Sequence, residues 1–182
     1  MKSVLISIQP KWCELIASGK KTVEVRKTKP KLETPFKCYI YETQGRTETP
    51  FVDEEGHEIF KGRGQVIGEF MCDYIDYVRN YGDCVDAYDC KASCLSANEI
   101  IEYAKDKNGD FIFTYGWHIS NLVIYNKPKE LSEFKKPCNH QNDCCTCDRW
   151  DYIGNGCYDE ITRPPQSWCY VDHPTEKGGV QE

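Results

Sequence analysis

Residues 4–26, VLISIQPKWCELIASGKKTVEVR, contain the pattern that decides the fold. The β-branched run at 4–8 predicts a strand, and Pro10 suits the first turn of the helix that follows. Apolar residues then recur at helical spacing as far as Gly19, which stands where a helix ends in a left-handed residue. The valines of the closing VEVR alternate with charged residues, as in a strand with one apolar face. The stretch therefore predicts a strand, a helix and a second strand in succession.

The rest of the chain adds strands around this unit. Alternating or β-branched runs predict four more of them, at 36–41, 65–77, 117–125 and 167–171. Ser96 with Glu99 three residues later forms a capping-box pattern, which predicts a second helix over 99–105. Five or six short strands with two helices indicate an α+β domain built on a curved sheet or a small barrel.

Charge is distributed unevenly along the 182 residues. The net charge is −6, but residues 1–40 contain nine Lys or Arg against three Asp or Glu. An acidic protein is a poor general binder of nucleic acid, because phosphate neutralisation supplies most non-specific affinity. The basic N-terminal segment can still contact a single phosphate or a short strand. Composition therefore favours a local site over broad, sequence-independent binding.

Apolar runs are short throughout the chain. None approaches the roughly 20 residues that a membrane helix needs. The apolar stretch at the start is about five residues long and is followed at once by Pro10 and Lys11, unlike a secretion signal. We therefore expect a cytoplasmic protein with no membrane partner.

The pattern Gly19-x-Lys21-x-x-Glu24-x-Arg26 contains the charged residues around the second strand. Glu24 and Arg26 are two residues apart, so they share one face of that strand. They can form an ion pair at a strand edge, which contributes little to stability. They can equally present a carboxylate to a base edge and a guanidinium fork to a phosphate, with Lys21 as a second cation. Spacing alone leaves both interpretations open.

Three separated blocks carry the most specific sequence patterns. The first is SIQPKW at 7–12 with GKKTVEVRK at 19–27, and the second is YGWHISNLVIY at 115–125, followed by KPKELSEF. Together they resemble ASCH domains, which belong to the PUA-like superfamily. The third block, ITRPPQSWCYV at 161–171, is similar to the closing segment of an ASCH subgroup found in phage and prophage genomes.

The resemblance implies a small PUA-like β-barrel of five to six strands with flanking helices and a cleft beside the first helix. The cleft of this family is expected to take RNA, nucleotides or modified bases. A nucleotide, a modified nucleoside or a short RNA is therefore the expected partner, and Trp12 beside the cleft is the candidate to stack on a base. The candidate ligand-binding residues are Ser7, Trp12, Lys21, Thr22, Glu24 and Arg26.

The same resemblance implies two alternatives to a binding function. Some small ASCH proteins are amidohydrolases that deacylate N4-acylated cytidine with a lysine, a threonine and a downstream glutamate. Lys21 matches that lysine, Thr22 is the nearest hydroxyl, and Glu69 or Asp73 would be the acid. Glu24 stands where those enzymes have their threonine, and this departure favours binding over catalysis. The other alternative is a phage-encoded protein whose acidic middle and cysteine-rich loop bind a host protein.

Five cysteines and a histidine lie close together at 138–157. Because no secretion signal is predicted, the cysteines are expected to be reduced, which makes metal ligation the better interpretation. Structural zinc takes four tetrahedral ligands, and a C-x-x-C pair holds one side of the ion. We predict a structural zinc held by Cys138, Cys144, Cys147 and Cys157, with Cys145 able to replace Cys144 and His140 able to replace Cys138.

The cysteine cluster interrupts one domain instead of forming a second, since 182 residues suit a single domain with an insertion. We expect an ASCH or PUA-like domain over 1–136 and a zinc loop at 137–160. A closing strand of the same domain follows at 161–172, and a flexible tail at 173–182.

Protein purified without chelators is expected to contain about one equivalent of zinc, because four protein ligands complete a structural site. Elemental analysis measures this content. A Cys147→Ser variant should lose the metal, whereas Cys84→Ser, outside the cluster, should keep it. Less than about half an equivalent in the unaltered protein would contradict the prediction.

Overall fold

The computed structural model describes residues 2–44, 51–52, 58–59, 62–79, 84–137 and 158–172. These residues form strands, three α-helices and one turn of 3₁₀-helix. The strands are β1 (Lys2–Ile8), β2 (Val23–Arg26), β3 (Phe36–Glu42), β4 (Phe51–Val52), β5 (Glu58–Ile59), β6 (Gln65–Tyr77), β7 (Tyr115–Lys129), β8 (Lys135–Pro137), β9 (Tyr158–Glu160) and β10 (Trp168–Asp172). The helices are α1 (Pro10–Ala17), α2 (Ala87–Ser93) and α3 (Ala97–Tyr103), and the 3₁₀ turn is Leu131–Glu133.

The main sheet has eight strands in the order β2-β7-β6-β3-β1-β10-β8-β9. The neighbours β1 and β3 run parallel, and the other neighbouring strands are antiparallel. β4 and β5 form a separate two-stranded hairpin. Each of the six predicted strands is present, and the predicted α+β class is confirmed.

The expectation of a closed barrel with five to six strands is wrong. Within the described ranges the edge strands β2 and β9 do not pair with each other, so the sheet stays open. β2 nevertheless comes close to the C-terminal end of β1, because the Arg26 guanidinium donates to the Ser7 carbonyl oxygen at 2.6 Å. A side chain therefore connects the edge strand β2 to β1, which already pairs with β3 on one side and β10 on the other. The additional strands β8 and β9 have three residues each, too few to show alternation in the sequence.

The core contains apolar clusters on both faces of the sheet. β1 contributes Val4 and Ile6 to the cluster beneath α1 and Leu5 to the cluster on the opposite face. Both faces of β1 are covered, which explains its nearly continuous apolar sequence. A third cluster joins Val25 of β2 to Ile100 of α3. This cluster packs the helices against the edge strand and so positions them beside the open part of the sheet.

The end of α1 determines where β2 begins. The helix starts with Pro10 at its first position and is followed by Gly19, whose φ of 73° lies in the left-handed region that favours glycine. The amides of Lys20 and Lys21 both donate to the Leu15 carbonyl oxygen at 2.9 Å. The chain therefore turns directly from α1 into β2, with Lys21 at the junction.

α2 and α3 lie beside the start of β2. The predicted capping box is present: the Glu99 amide donates to the Ser96 hydroxyl at 3.2 Å, and the Ser96 amide donates to the Glu99 carboxylate at 2.8 Å. α2 was not predicted, because its seven residues, AYDCKAS, show no apolar stripe and depend on the Asp86 side chain as a cap. The Thr22 amide donates to the Ala92 carbonyl oxygen at 2.9 Å and so joins β2 to α2. The helices in the described part of the chain are all too short or too polar to cross a bilayer.

Candidate functional site

A cavity of about 610 Å³ lies between β2 and the C-terminal end of β1. The Arg26 side chain, which connects the two strands, forms part of its wall. Its lining comes mainly from 7–9 at the end of β1, 24–26 of β2, 164–166 before β10, Trp12 of α1, Lys21, and Glu99 and Tyr103 of α3.

Lys21 is buried at the junction of α1 and β2, with 2% of its surface exposed. Its ammonium donates to the Ser93 carbonyl oxygen at 2.7 Å. The same nitrogen lies 3.3 Å from a carboxylate oxygen of Glu24 and 5.2 Å from the centre of the Trp12 ring. The C-terminal end of α2 and a carboxylate of β2 therefore hold this cation at the cavity wall, beside an aromatic face.

Arg26 makes the contacts that connect β2 to the end of β1. Its Nη2 lies 2.9 Å from the second carboxylate oxygen of Glu24 and donates to the Ser7 carbonyl oxygen at 2.6 Å. Its Nη1 donates to the Ser167 hydroxyl over a longer distance, 3.4 Å. Its Nε is buried and has no acceptor among the described residues. An unpaired buried donor is costly to stability.

Lys21, Glu24 and Arg26 together form a buried charge cluster with one net positive charge. Each of the three is less than 9% exposed. Buried charges interact more strongly than charges at the surface, since solvent screens them less. The surface ion pair that spacing alone allowed does not describe this arrangement. An anionic group with hydrogen-bonding edges would complement the cluster.

Ser7 and Trp12 lie on either side of the cluster. The Ser7 hydroxyl donates to the Pro165 carbonyl oxygen at 2.6 Å, which fixes the segment before β10 against β1. Trp12 is half-buried on α1, with the ammonium of Lys11 at 4.6 Å from its ring centre. Ser7 therefore shapes the wall, while Trp12 offers an aromatic surface to the cavity.

Five of the six candidate ligand-binding residues line this one cavity, and Thr22 does not. The Thr22 side chain is exposed. Its backbone is used in pairing, since the Ile119 amide donates to the Thr22 carbonyl oxygen at 2.9 Å. A hydroxyl for catalysis at this position would therefore face away from the buried charge cluster.

Glu69 also lies away from the cavity lining. It pairs in register with Tyr39, whose ring packs in the cluster on the opposite face of the sheet from α1. Lys37 donates to its carboxylate at 2.6 Å and Tyr125 at 2.5 Å. Burial opposes the charge of this carboxylate, but the two hydrogen bonds together with the charges of Lys37 and Lys129 outweigh burial and lower the pKa of Glu69. Asp73, the other candidate acid, is exposed on β6.

Sequence reasoning missed the contribution of α3 to the cavity. Glu99 was recognised only as a helix cap. Hydrogen bonds from the backbone and hydroxyl of Ser96, with the charges of Lys11 and Lys21, lower the pKa of Glu99. Tyr103 follows one turn after Glu99 on the same helix face. This spacing is the sequence signal that could have placed the two side chains at one site. Burial raises the pKa of the Tyr103 hydroxyl, which therefore remains protonated at neutral pH.

The predicted zinc ligands Cys138, Cys144, Cys147 and Cys157, with the alternatives Cys145 and His140, lie outside the described residues. The flexible tail expected at 173–182 lies outside them as well. Within the described ranges, no group of three or more His, Cys, Asp or Glu side chains is arranged to hold a metal ion. The zinc therefore stays a prediction from the sequence.

Replacing Glu24 by Gln leaves two buried cations without a countercharge. We expect the free energy of unfolding to fall by about 3–5 kcal/mol. Urea unfolding followed by tryptophan fluorescence measures the loss. The matched control is Glu102→Gln, which removes the exposed ion pair with Lys105 and should cost less than about 1 kcal/mol. Equal losses in the two variants would contradict a buried, coupled cluster.

Comparison with known proteins agrees with this architecture. The family model of the ASCH domain matches residues 6–128. A tyrosine-to-phenylalanine variant of the ASCH protein from Zymomonas mobilis is 18% identical, with a TM-score of 0.53 over 94% of this chain and 91% of that one. A serine-to-alanine variant of the same protein is also 18% identical, with a TM-score of 0.53 over 93% of this chain and 88% of that one.

These structural similarities concern the fold, since the sequences are only distantly related. No curated protein matches this chain. The open mixed sheet with its helices fits the PUA-like superfamily that contains ASCH domains. The family model spans more than half of the sequence, and the chain therefore belongs to the ASCH domain family.

Proposed function

We propose that this ASCH protein binds a nucleotide, either free or as part of an RNA, in the cavity between β1 and β2. The observation that carries the proposal is the buried charge cluster of Lys21, Glu24 and Arg26 on the wall of a cavity of about 610 Å³. Small-molecule sites typically enclose about 300–1,000 Å³, so a nucleotide is of suitable size.

The polar groups of the cavity match the parts of a nucleotide. The net positive charge of the cluster suits a phosphate, and Arg26 retains a buried Nε donor without an acceptor among the described residues. Glu24 offers carboxylate oxygens to a base edge. Trp12 supplies an aromatic surface for stacking, with Lys21 beside its ring.

Binding is favoured over hydrolysis by the positions of the candidate catalytic residues. Lys21 lines the cavity, but Thr22 and Glu69 do not. The carboxylate of Glu69 is already bonded to Lys37 and Tyr125. A general acid or base must come within hydrogen-bond reach of its substrate. Because Thr22 and Glu69 lie away from the cavity that Lys21 lines, the three residues are not placed to deacylate one substrate together.

We expect calorimetry to detect binding of at least one member of a panel of nucleosides, nucleotides and short RNAs. Trp12→Ala should lower the affinity for that ligand by about tenfold, because stacking on one base contributes roughly 1–3 kcal/mol. Arg26→Ala should abolish it. Leu15→Ala is the matched control, since Leu15 is half-buried on the same helix and does not line the cavity. Thermal melting of each variant separates lost binding from lost folding, and silence across the whole panel would refute the proposal.

Incubation with N4-acetylcytidine should release no cytidine, because the lysine, hydroxyl and acid of the proposed hydrolase do not meet in the cavity. Chromatography of the reaction mixture measures the product. Turnover that disappears in Lys21→Gln but persists in the exposed-lysine control Lys20→Gln would overturn the preference for binding.

We also propose a structural zinc, a phage or prophage origin and a cytoplasmic location for this protein. A structural zinc in the loop at 137–160 is supported by the spacing of its cysteines. A phage or prophage origin is supported by the similarity of 161–171 to that subgroup, and it would allow a host protein as a further partner. A cytoplasmic location is supported by the seven cysteines of the described residues, which are all free thiols, as a reducing compartment would keep them.

A further inference from the structure

An aromatic surface continues from the cavity across the sheet. Arg26 of β2 lies opposite Tyr115 of β7, and Tyr115 lies opposite Tyr77 of β6. Directly opposed residues of antiparallel strands point to the same face, so these three side chains form one line across three strands. Phe113, just before β7, contacts Tyr77 with their ring centres 5.6 Å apart. We call Tyr115, Tyr77 and Phe113 the aromatic row.

The aromatic row is open to solvent at its outer end. Phe113 is 76% exposed and Tyr77 is 55% exposed, while Tyr115 is half-buried. The rings of Tyr77 and Tyr115 are tilted against each other at 5.2 Å. Grouped exposed aromatic side chains of this kind mark a binding surface more often than scattered ones do.

The aromatic row is attached to the body of the protein. The Ile112 amide donates to the Ala104 carbonyl oxygen at 2.7 Å, and the Val78 amide donates to the Thr114 carbonyl oxygen at 3.0 Å. These bonds hold both sides of Phe113. Little backbone freedom would therefore be lost here when a ligand binds to the exposed rings.

Lysine ammonium groups lie close to the rings of the aromatic row and of Tyr103. The ammonium of Lys29 lies 5.3 Å from the centre of the Tyr115 ring and 5.8 Å from that of Tyr77. Lys27 lies 5.2 Å from the ring of Tyr103, which lines the cavity. The segment 20–31 contains six Lys or Arg and one Glu. Rings for stacking and cations for phosphates are the two elements of single-strand recognition.

We propose that the aromatic row stacks on the bases of a single-stranded RNA that continues outward from the nucleotide in the cavity, while Lys29 contacts its phosphates. The proposal rests on the proposed function for the position of the first nucleotide. Charge complementarity favours a polyanion over an apolar protein segment at this surface. A duplex would be excluded, because its bases are stacked internally and cannot reach the rings.

The test uses the full chain and fluorescence anisotropy with a labelled single-stranded RNA of about ten nucleotides, within the range of known single-strand sites. The double variant Tyr77→Ala, Phe113→Ala should bind this RNA at least about tenfold more weakly, with unchanged affinity for a mononucleotide in calorimetry. Tyr88→Ala is the matched control, because Tyr88 is 53% exposed on α2 and lies outside the aromatic row. Its RNA affinity should equal that of the unaltered protein.

Salt dependence gives a second measurement. Lys29→Gln should reduce the slope of log affinity against log salt by about 0.7, the value for one phosphate contact on a single strand. Unchanged RNA binding by the double variant, or equal binding of a duplex of the same length, would overturn the proposal. If RNA binding depends on the aromatic row but no mononucleotide binds, the cavity site is refuted and the aromatic row is not. If a mononucleotide binds but the double variant leaves the RNA affinity unchanged, the role of the aromatic row is refuted and the cavity site is not.

Discussion

The guanidinium of Arg26 connects parts of the molecule that the sheet leaves separate. Three strands lie between β2 and β1 in the sheet order, yet Arg26 of β2 donates to the carbonyl oxygen of Ser7 at the end of β1. The same group reaches Ser167 beside the start of β10. β1 already pairs with β3 and β10, so its link to β2 comes from this side chain and not from backbone pairing. A cavity lies between the two strands, and Ser7 and Arg26 are part of its lining.

This bridge requires charges to be buried, which is expensive unless each charge finds a partner. Glu24 meets the requirement by contacting Arg26 through one carboxylate oxygen and Lys21 through the other. The carbonyl oxygens of Ser93 and Ser7 provide further acceptors. An apolar closure of similar volume would often be at least as stable. A net positive cluster at the wall of a cavity therefore fits the ligand site that we propose, as expected where function limits the optimisation of a fold.

Strand register places the aromatic row in line with Arg26 at the cavity. Arg26, which connects β2 to β1, also lies directly opposite Tyr115, and Tyr115 lies opposite Tyr77. The polar wall and the exposed rings are consequently parts of one face of the sheet. Because β6 and β7 are long and paired along most of their length, they hold the rings at a fixed distance from β2. A ligand that occupies the cavity and leaves it along this face would contact charge first and aromatic surface next.

The sequence by itself determined the succession of β1, α1 and β2, because proline at the first helical position and Gly19 at its end are local rules. It also placed Glu24 and Arg26 on one strand face through the two-residue period of a strand. Only the tertiary structure decided that the sheet stays open and that Lys21 meets Ser93, a residue 72 positions away. It also placed Glu69 with the opposite cluster, away from the cavity. Contacts of such long range depend on how several strands and helices pack together, and no local periodicity encodes that arrangement.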